Sequence, residues 1–341
     1  MELNGERLKM NFNTGEHETQ ISFNGETGLQ NHFKDCKKNP GHTHFIPITK
    51  FNVTDLPENY RDLDIYELIK ATAELTVRIA INMVSPHRPK FWPITNNHYP
   101  FYHFRGSKAL RTGSGFISVY KFINGCGYNG HGIRDNPITG GQYEAKCKTC
   151  PCEKCQSSEN PNNVWWEIYI TTATHVVFDD IEARHTTCRL FYDDEVSALV
   201  NIRDVRVCYV NIERDYSRLK YVTCDAILGS KLYSKAERWS KLWVQTRDDY
   251  MKRPNEKFNF IVSHPHGCAK QVSVGQFVSN EKISEANDKL DMTKLTYTTS
   301  TCPGSSGAMV FCVGFGDTSH VHSGTLSPAL NFSGVGYNIK Y

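Results

Sequence analysis

The feature that most constrains this fold is a series of nine short apolar runs in the last two thirds of the chain. Each run is rich in β-branched and aromatic residues, and Gly, Asn, Asp or Pro separates it from the next. This pattern predicts β-strands joined by turns. The runs are GFISVYKFI, WWEIYITTATHVVF, CRLFY, VRVCYVNI, LKYVTC, FNFIVS, QVSVGQFVS, AMVFCVGF and HVHSG. A helical pattern at about 230–252 divides them, so we predict an all-β protein with two barrels, at about 105–228 and 257–341.

The first 104 residues have a different texture. Residues 1–60 are rich in Asn, Gly, Lys and Glu with little periodicity, which predicts an irregular or disordered arm outside the catalytic machinery. From Asp62 to Val84 apolar residues recur at helical spacing, and Ser85-Pro86 ends the pattern. We therefore predict a helical extension at 61–104 whose second half, rich in proline and aromatic residues, straps across a domain surface or lines a ligand groove.

Composition excludes several classes of protein. The 341 residues are 39% apolar and 12% aromatic, which is too apolar for a disordered chain. A net charge of +3 is too small for a dedicated nucleic-acid binder, so no nucleic-acid partner is expected. No apolar stretch has the length of a membrane span or a secretory signal, so we expect no membrane partner and a cytoplasmic or nuclear location.

A glycine-flanked serine marks the candidate nucleophile. Gly304-Ser305-Ser306-Gly307 precedes an apolar strand, and such a turn can aim backbone amides at one point beside a hydroxyl. A serine needs a base and an orienting carboxylate to become nucleophilic. His175 ends the run ITTATHVV, and Asp215 opens a predicted strand. Other carboxylates remain candidates for the orienting role: Asp179, Asp180, Glu182, Asp204 and Asp225.

These residues resemble the chymotrypsin-fold serine proteases, most nearly the glutamyl endopeptidase and high-temperature-requirement branches. The family has the order His, Asp, Ser, with the histidine in a Thr-Ala-x-His-Val strand end such as Thr172–Val176. Thr112–Ile117 and Phe260–Gly267 resemble further strands of the fold. The likeness covers about residues 105–341. It implies two antiparallel barrels of the six-stranded type, with the histidine and aspartate on the first and the serine on the second.

The resemblance also implies roles. Ser306 would attack a scissile carbonyl, His175 would take and return its proton, and Asp215 would orient the imidazole. The amides of Gly304 and Ser306 would form the oxyanion hole. No cofactor is needed for this chemistry. Ser305 stands where the family usually has an aspartate, which makes activation of the zymogen type doubtful.

Specificity follows from the same likeness, which places Ser300, Thr301 and His322 around the pocket for the residue before the cut. The pocket has no carboxylate to select Arg or Lys. Hydroxyl and imidazole donors suit an oxygen-bearing side chain that loses its water on entry. We therefore expect a preference for Glu or Gln in a protein or peptide substrate.

Twelve cysteines in a reducing compartment are expected to be mostly free. Four of them crowd into one predicted insertion at 126–155, as Cys147, Cys150, Cys152 and Cys155. Three interpretations stay open: structural zinc, disulfide or redox chemistry, and no ligand at all. Because one residue separates the two C-x-x-C units, Cys126 and His131 are candidates for completing a site that uses a subset of the four. The other eight cysteines are expected in the core or in loops, and the pairs His42/His44 and His264/His266 are expected to be exposed.

The sequence is also compatible with two rival functions. The first is a catalytically silent protease fold that binds peptides. The second is a cysteine-rich, zinc-binding interaction protein. The oligomeric state is not predicted.

Overall fold

The structure is a computed structural model that describes residues 15–93, 95–136, 140–253, 258–315 and 319–340. The chain enters with four elements: β1 (Glu16–His17), α1 (Gly25–Lys34), β2 (Ile46–Pro47) and α2 (Leu63–Leu75). In the described parts of the chain, no helix combines the length and apolar character needed to cross a bilayer.

The first sheet is antiparallel throughout and has the order β8-β7-β3-β4-β6-β10-β9, with β5 paired to β4. Two short helices occur in the connections between its strands: α3 (Glu153–Gln156) and α4 (Asp180–Arg184). The strands are β3 (Thr76–Ile81), β4 (Arg111–Ile123), β5 (Cys126–Tyr128), β6 (Val164–Thr172), β7 (Thr186–Leu190), β8 (Val200–Ile202), β9 (Arg206–Asn211) and β10 (Tyr216–Thr223).

The second sheet follows the long helix α5 (Ala226–Tyr250), whose first amides bond to the Asp225 carboxylate. It has the order β1-β15-β16-β13-β12-β11-β14, with β2 paired to β12, and every pairing is antiparallel. Its later strands are β11 (Phe258–Ser263), β12 (Gln271–Asn287), β13 (Leu290–Tyr297), β14 (Val310–Cys312), β15 (His322–Ser327) and β16 (Leu330–Ile339).

Two curled antiparallel sheets with few helices form a chymotrypsin-like double β-barrel, so the predicted fold class is confirmed. Each sheet contains eight strands in the described residues. The second sheet reaches this number because β1 and β2, from the N-terminal arm, pair with β15 and β12.

Two local expectations are corrected. The single helix expected over 62–84 ends at Leu75, and the chain continues as β3 between β4 and β7. The β-branched residues of TVRIAI favour extended backbone, and pairing on both sides decides the structure. The arm expected to be irregular contains β1, α1 and β2 within residues 15–60, because these segments pair with or pack on the barrels. Residues 1–14 lie outside the described residues.

The barrels meet at an aromatic core and through hydrogen bonds, including a seam at Ser114. Phe116 of β4 lies edge-on to Phe311 of β14, with ring centroids 5.7 Å apart. At the seam, the Ser114 amide donates to the Ser306 carbonyl (2.8 Å) and the Ser114 hydroxyl donates to the Gly304 carbonyl (2.8 Å). The first barrel therefore holds the backbone of the turn that carries the candidate nucleophile.

Candidate active site

His175 and Asp215 meet because their strands are neighbours. His175 follows β6, Asp215 precedes β10, and these strands pair with Ser217 opposite Thr172. Nδ1 of His175 lies 2.7 Å from Oδ2 of Asp215, and the His175 amide donates to Oδ1 at 3.0 Å. The carboxylate thus holds both the ring and the backbone of the histidine. With Nδ1 donating, Nε2 has its lone pair available, and that atom has no partner among the described residues.

Asp215 is buried and ionised. Burial alone would raise its pKa, but the charge and hydrogen bond of His175 and a hydrogen bond from the Ser323 hydroxyl outweigh burial and hold the pKa well below its usual range. Its backbone has a positive φ of 51°, a conformation that Asp tolerates better than most residues. Ser323 was not assigned a role from the sequence, although it directly follows His322.

Three of the five rival carboxylates have other partners. Asp179 caps α4 by accepting from the Glu182 amide. Glu182 is buried between Arg88 and Arg111. Asp225 caps α5. Each is satisfied by a local partner, so Asp215 is the carboxylate in contact with His175.

The turn around Ser306 depends on two left-handed glycines. Gly304 has φ +97° and Gly307 φ +85°, and a Cβ on Gly304 would lie 2.5 Å from the His264 carbonyl oxygen. Only glycine fits there. Within the described residues the amides of Gly304 and Ser306 donate to no protein acceptor, as the predicted oxyanion hole requires, and that role stays a prediction.

The Ser306 hydroxyl has an unexpected partner. Oγ donates to the carbonyl oxygen of Glu18 at 2.8 Å and makes no hydrogen bond to His175. The expected Ser306–His175 hydrogen bond is therefore absent here, because a carbonyl of the N-terminal arm accepts from the hydroxyl instead.

The arm runs through the cleft as an extended peptide. On one side of Glu18, β1 pairs with β15, with Glu16 opposite Thr325. The His17 ring stacks on Trp92 at 4.5 Å and lies edge-on to His175 at 5.1 Å. This position corrects the expectation that the arm has no part in the site.

The other side of Glu18 is also tied down. The Gln20 side chain bonds to Thr112 and to His266, at 3.3 and 2.7 Å. Ser22 and Leu110 exchange both backbone hydrogen bonds at 2.8 Å. The peptide bond after Glu18 is thus held from both directions.

The Glu18 carboxylate occupies the predicted specificity pocket. His322 Nε2 lies 2.7 Å from one carboxylate oxygen, and the Lys38 ammonium pairs with the other. Lys38 also donates to the Thr301 hydroxyl (3.1 Å) and to Asn331 Oδ1 (2.8 Å). The structure therefore brings His322 and Thr301 to one pocket, but Thr301 reaches the carboxylate only through Lys38.

Ser300 shows no contact with the carboxylate. Its carbonyl accepts from the Ser273 hydroxyl, and no side-chain contact places it in the pocket. Lys38 and Asn331 were missed, since one lies in the arm and the other in a strand without a distinctive motif.

The pocket holds one negative charge, on Glu18, and one positive charge, on Lys38. Burial lowers the pKa of His322 even though Glu18 opposes that shift. His322 is therefore neutral near pH 7, donating through Nε2 while Nδ1 accepts from the Tyr297 hydroxyl at 2.6 Å. Burial would raise the pKa of Glu18, but His322 and Lys38 outweigh burial and lower the pKa to about 2. The positive charge that matches the carboxylate is thus that of Lys38.

A cavity of about 520 Å³ opens beside residues 15–19. It offers room for side chains next to the segment that lies in the cleft. Its walls include Trp92, Pro93, His98, Arg214, Lys294 and Phe332.

The cysteine-rich insertion forms a different cluster from the one expected. The thiols of Cys150, Cys152, Cys155 and Cys224 lie within 4.8 Å of one another, and Cys147 is not among them. Cys126 and His131 are not in the cluster either. Because one residue separates the two C-x-x-C units, Cys147 cannot reach the point that the other three share. Cys224, expected in the core or a loop, supplies the fourth thiol from the end of β10.

A second cluster was missed entirely. Ligand atoms of Cys36, His42, His266 and Cys302 also lie within 4.8 Å of one another. His42 and His266 are only 7% and 5% exposed and His264 is fully buried, which corrects the expectation that these three lie in solvent, whereas His44 is exposed as expected. Each histidine pair and each single cysteine lacks a metal-binding spacing, so the sequence carries no signal for this cluster.

Comparison with known proteins shows similarity only at the level of solved structures, since no family model and no curated protein matches. The HtrA-type protease AlgW with a tripeptide is 10% identical, with a TM-score of 0.37 over 80% of this chain and 58% of that chain. The Rv3671c protease from M. tuberculosis is 11% identical in its active form (TM-score 0.35, 82% and 81%) and in its inactive form (0.36, 80% and 88%). This chain thus spans about three fifths of the AlgW chain. At these TM-scores the fold assignment comes from the two sheets of this protein.

Proposed function

We propose that this protein is a serine endopeptidase that cleaves after glutamate. The observation that carries the proposal is the position of Glu18. Its carboxylate fills the pocket of His322 and Lys38 while its own carbonyl oxygen meets the Ser306 hydroxyl. The side chain in this pocket supports Glu18 as a stand-in for the residue before a scissile bond, with its carbonyl oxygen at the Ser306 hydroxyl and not at the amides of Gly304 and Ser306.

The surrounding groups supply the remaining steps. Ser306 Oγ attacks the carbonyl carbon and its proton passes to Nε2 of His175, an atom with no hydrogen-bond partner in the part of the chain that the structure describes. Asp215 stabilises the imidazolium, and the amides of Gly304 and Ser306 receive the oxyanion. His175 then protonates the leaving amine, and water hydrolyses the acyl-enzyme by the same proton route.

The pocket sets an order of preference. A glutamate gains the charge of Lys38 and the Nε2–H of His322. A glutamine has the same shape but loses the ionic part of that interaction, and a lysine would bring a second ammonium against Lys38. We therefore expect cleavage to be fastest after Glu, slower after Gln and absent after Lys.

Two measurements test the proposal. Peptides that differ only in one residue, Glu, Gln or Lys, are incubated with the full chain, and the cleavage site is read by mass spectrometry. A fluorophosphonate probe is applied in parallel to the wild type and to Ser306→Ala. Cleavage after Glu and labelling that Ser306→Ala abolishes support the endopeptidase. A folded chain that is neither labelled nor active favours the catalytically silent, peptide-binding alternative.

For the insertion we propose a structural zinc ion held by Cys150, Cys152, Cys155 and Cys224. Thiolates around tetrahedral zinc, at about 2.3 Å from the metal, lie about 3.8 Å from one another. The sulfur of Cys224 lies 3.8 Å from that of Cys152 and 3.6 Å from that of Cys155. Such an ion would fasten the insertion to the end of β10, away from the catalytic groups.

The matched pair Cys224→Ser and Cys147→Ser tests this zinc site. We expect Cys224→Ser to lose about one zinc per chain, as measured by plasma mass spectrometry, and Cys147→Ser to lose none. The opposite result would return the site to the four neighbouring cysteines of the insertion.

A further inference from the structure

The second cluster joins three distant segments beside the nucleophile. Cys36 and His42 follow α1 in the arm, His266 lies in the turn after β11, and Cys302 stands four residues before Ser306. His42, His266 and Cys302 are buried and Cys36 is partly buried. The sulfurs of Cys36 and Cys302 lie 3.6 Å apart without a disulfide. That separation is close to the distance of about 3.8 Å expected for two thiolates on tetrahedral zinc.

His266 presents a lone pair at this cluster, and His42 presents a buried nitrogen without a partner among the described residues. Nδ1 of His266 donates to Gln20 Oε1 at 2.7 Å, so Nε2 is the unprotonated nitrogen. Nε2 of His266 and Nε2 of His42 are both buried, and neither has a partner among the described residues. Two unsatisfied imidazole nitrogens are costly to bury. A shared cation would satisfy both, and the Gln20 contact is the outer hydrogen bond typical of a ligating histidine.

Both sulfurs also have hydrogen-bond donors directed at them. The Asn39 side-chain amide donates to Cys302 Sγ at 3.1 Å, and the Asn39 backbone amide donates to Cys36 Sγ at 3.4 Å. Both sulfurs therefore accept a hydrogen bond from Asn39, the kind of outer contact that orients the ligands of a metal site, although burial raises the pKa of the Cys302 thiol. A Cys36–Cys302 disulfide would leave the two imidazole nitrogens without a partner.

We propose that Cys36, His42, His266 and Cys302 bind a structural zinc ion that fastens the arm to the nucleophile turn. Four protein ligands of this type make a closed tetrahedral site with no open position for catalysis. Lys38 lies between Cys36 and His42 in the chain, so the ion also determines where its ammonium stands. The metal therefore completes the specificity pocket without taking part in the reaction.

Metal content of the full chain tests this site. We expect about two zinc ions per wild-type chain, one fewer in Cys36→Ser, and no change in the control Cys208→Ser, whose thiol is exposed. Replacing zinc by Co²⁺ should give the visible absorption of tetrahedral sites, and Cys36→Ser should remove only the two-thiolate component.

A variant that exchanges one ligand for another separates loss of the metal site from misfolding. Cys36→His keeps four ligands, so it should retain the metal and change the Co²⁺ spectrum. Equal zinc content in wild type and Cys36→Ser would overturn the proposal. So would a Cys36–Cys302 disulfide found in the freshly purified chain by mass spectrometry.

A separate observation, the Glu18–Thr19 bond held in the cleft, carries a second inference that rests on the proposed function. β1 fixes the chain before this bond, while Gln20 and Ser22 fix it afterwards. We infer that the protein is its own first substrate and hydrolyses this bond within one chain.

The reaction consumes one water. Ser306 Oγ bonds to the Glu18 carbonyl carbon, the bond to the Thr19 nitrogen breaks, and His175 passes the proton from Ser306 to that nitrogen. Water then releases residues 1–18 with a new carboxylate. Loss of β1 would expose the edge of β15 to other peptides by strand addition. Lys38 stays with the larger fragment, so the pocket keeps its charge.

Intact mass and N-terminal sequencing of the full chain over time test this inference. We expect a new N-terminus at Thr19 that forms at a rate independent of protein concentration. Ser306→Ala and Glu18→Lys should remain whole. Glu16→Lys, at an exposed position, should still be cut. Cleavage that persists in Ser306→Ala would overturn the inference.

The same samples separate this inference from the proposed function. A chain that cleaves an added Glu peptide and binds the fluorophosphonate, yet keeps its own Glu18–Thr19 bond, overturns self-cleavage alone. A folded chain that does none of these overturns the endopeptidase.

Discussion

The two halves of the candidate site are held in different ways. The half on the first barrel, His175 and Asp215, takes most of its contacts from the same barrel and one, the Ser323 hydroxyl, from the second. The half on the second barrel, the Ser306 turn with its pocket, takes essential contacts from residues 18–42 at the other end of the chain. The first half therefore depends mainly on its own barrel, whereas the pocket of the second half is complete only with the arm in place.

The first half has an ionic scaffold. Glu182 is fully buried and accepts from Arg88 through both carboxylate oxygens, at 2.7 and 2.8 Å. Arg88 also donates to the His175 carbonyl at 2.9 Å, and Arg111 to the Val176 carbonyl at 3.0 Å. These bonds fix the backbone that carries the imidazole.

In the second half, a lysine of the arm has the corresponding role. Its ammonium, on Lys38, contacts both the Glu18 carboxylate and a residue of the nucleophile turn, Thr301. Asn39 reinforces the contact by donating to the Thr301 carbonyl at 2.8 Å. Substitutions in the arm should therefore change substrate choice, and substitutions in the scaffold should change stability.

Breaking the first half at its centre should have the largest effect. In Asp215→Asn the amide can donate to Nδ1, so the imidazole adopts the wrong tautomer. We expect kcat for a Glu peptide to fall about 10⁴-fold, as is typical for this change in a catalytic triad. The thermal unfolding transition checks that the fold persists. A fall of less than tenfold would remove Asp215 from the proton-transfer line.

Breaking the scaffold should destabilise the protein and leave specificity unchanged. Glu182→Gln leaves Arg88 and Arg111 without their buried counter-charge, which typically costs about 3–5 kcal/mol in the free energy of unfolding. Urea unfolding measures the loss. Glu159→Gln, at an exposed position, is the control and should change little.

The scaffold also predicts a dependence on acid. Burial would raise the pKa of Glu182, but Arg111 and Arg88 outweigh it and lower the pKa to about 2 from 4.5. Because the pKa is lowered in the folded state, this stabilisation is present above pH 4.5 and is lost as pH falls towards 2. Glu182→Gln should flatten that part of the curve of stability against pH. An unchanged slope would contradict the ionic scaffold.

Breaking the second half should alter substrate choice. Lys38→Met removes the charge that faces the carboxylate, and hydrogen bonds to charged groups contribute about 1.5–3 kcal/mol, or roughly 10- to 100-fold. We expect kcat/KM for Glu peptides to fall by that factor and kcat/KM for Gln peptides to change less. Lys37→Met, its exposed neighbour, should leave both values unchanged. An equal loss for both peptides would mean that Lys38 only supports the fold.

The smallest effect should come from Thr301→Val. The hydroxyl accepts from Lys38 and does not contact the Glu18 carboxylate. One neutral acceptor among the three partners of Lys38 is worth about 1 kcal/mol, or roughly fivefold in kcat/KM for Glu peptides. An effect as large as that of Lys38→Met would indicate that Thr301 binds the substrate directly.

The comparison also explains which parts of the site could be read from the sequence. The sequence singles out His175, Asp215 and Ser306 because each lies near the start or end of a strand with its own apolar pattern; their catalytic roles stay a prediction. Glu18 and Lys38 were missed because the arm has no periodicity, and its contacts span more than 260 residues of chain.

The two cysteine clusters divide in the same way. Cys150, Cys152 and Cys155 are close in sequence and were recognised, but the fourth thiol was misassigned. Cys224 reaches them across 69 residues or more, and only the pairing of β10 with its neighbours brings it there. The cluster of Cys36 and Cys302 has no local motif at all.

By itself, the sequence determined that this chain is an all-β protein with two barrels, and it limited the candidate nucleophile, base and carboxylate to a few positions. Alternating apolar residues and turn-forming residues determine structure over short stretches of chain. Their pattern can therefore be recognised in the sequence alone. The tertiary structure alone decided what fills the pocket, which ligands share a point and which carbonyl meets Ser306. Those contacts join irregular segments that lie far apart in the chain. They form because the folded protein must pair its buried charges and hydrogen-bond its buried polar groups, and this requirement leaves no periodic pattern in the sequence.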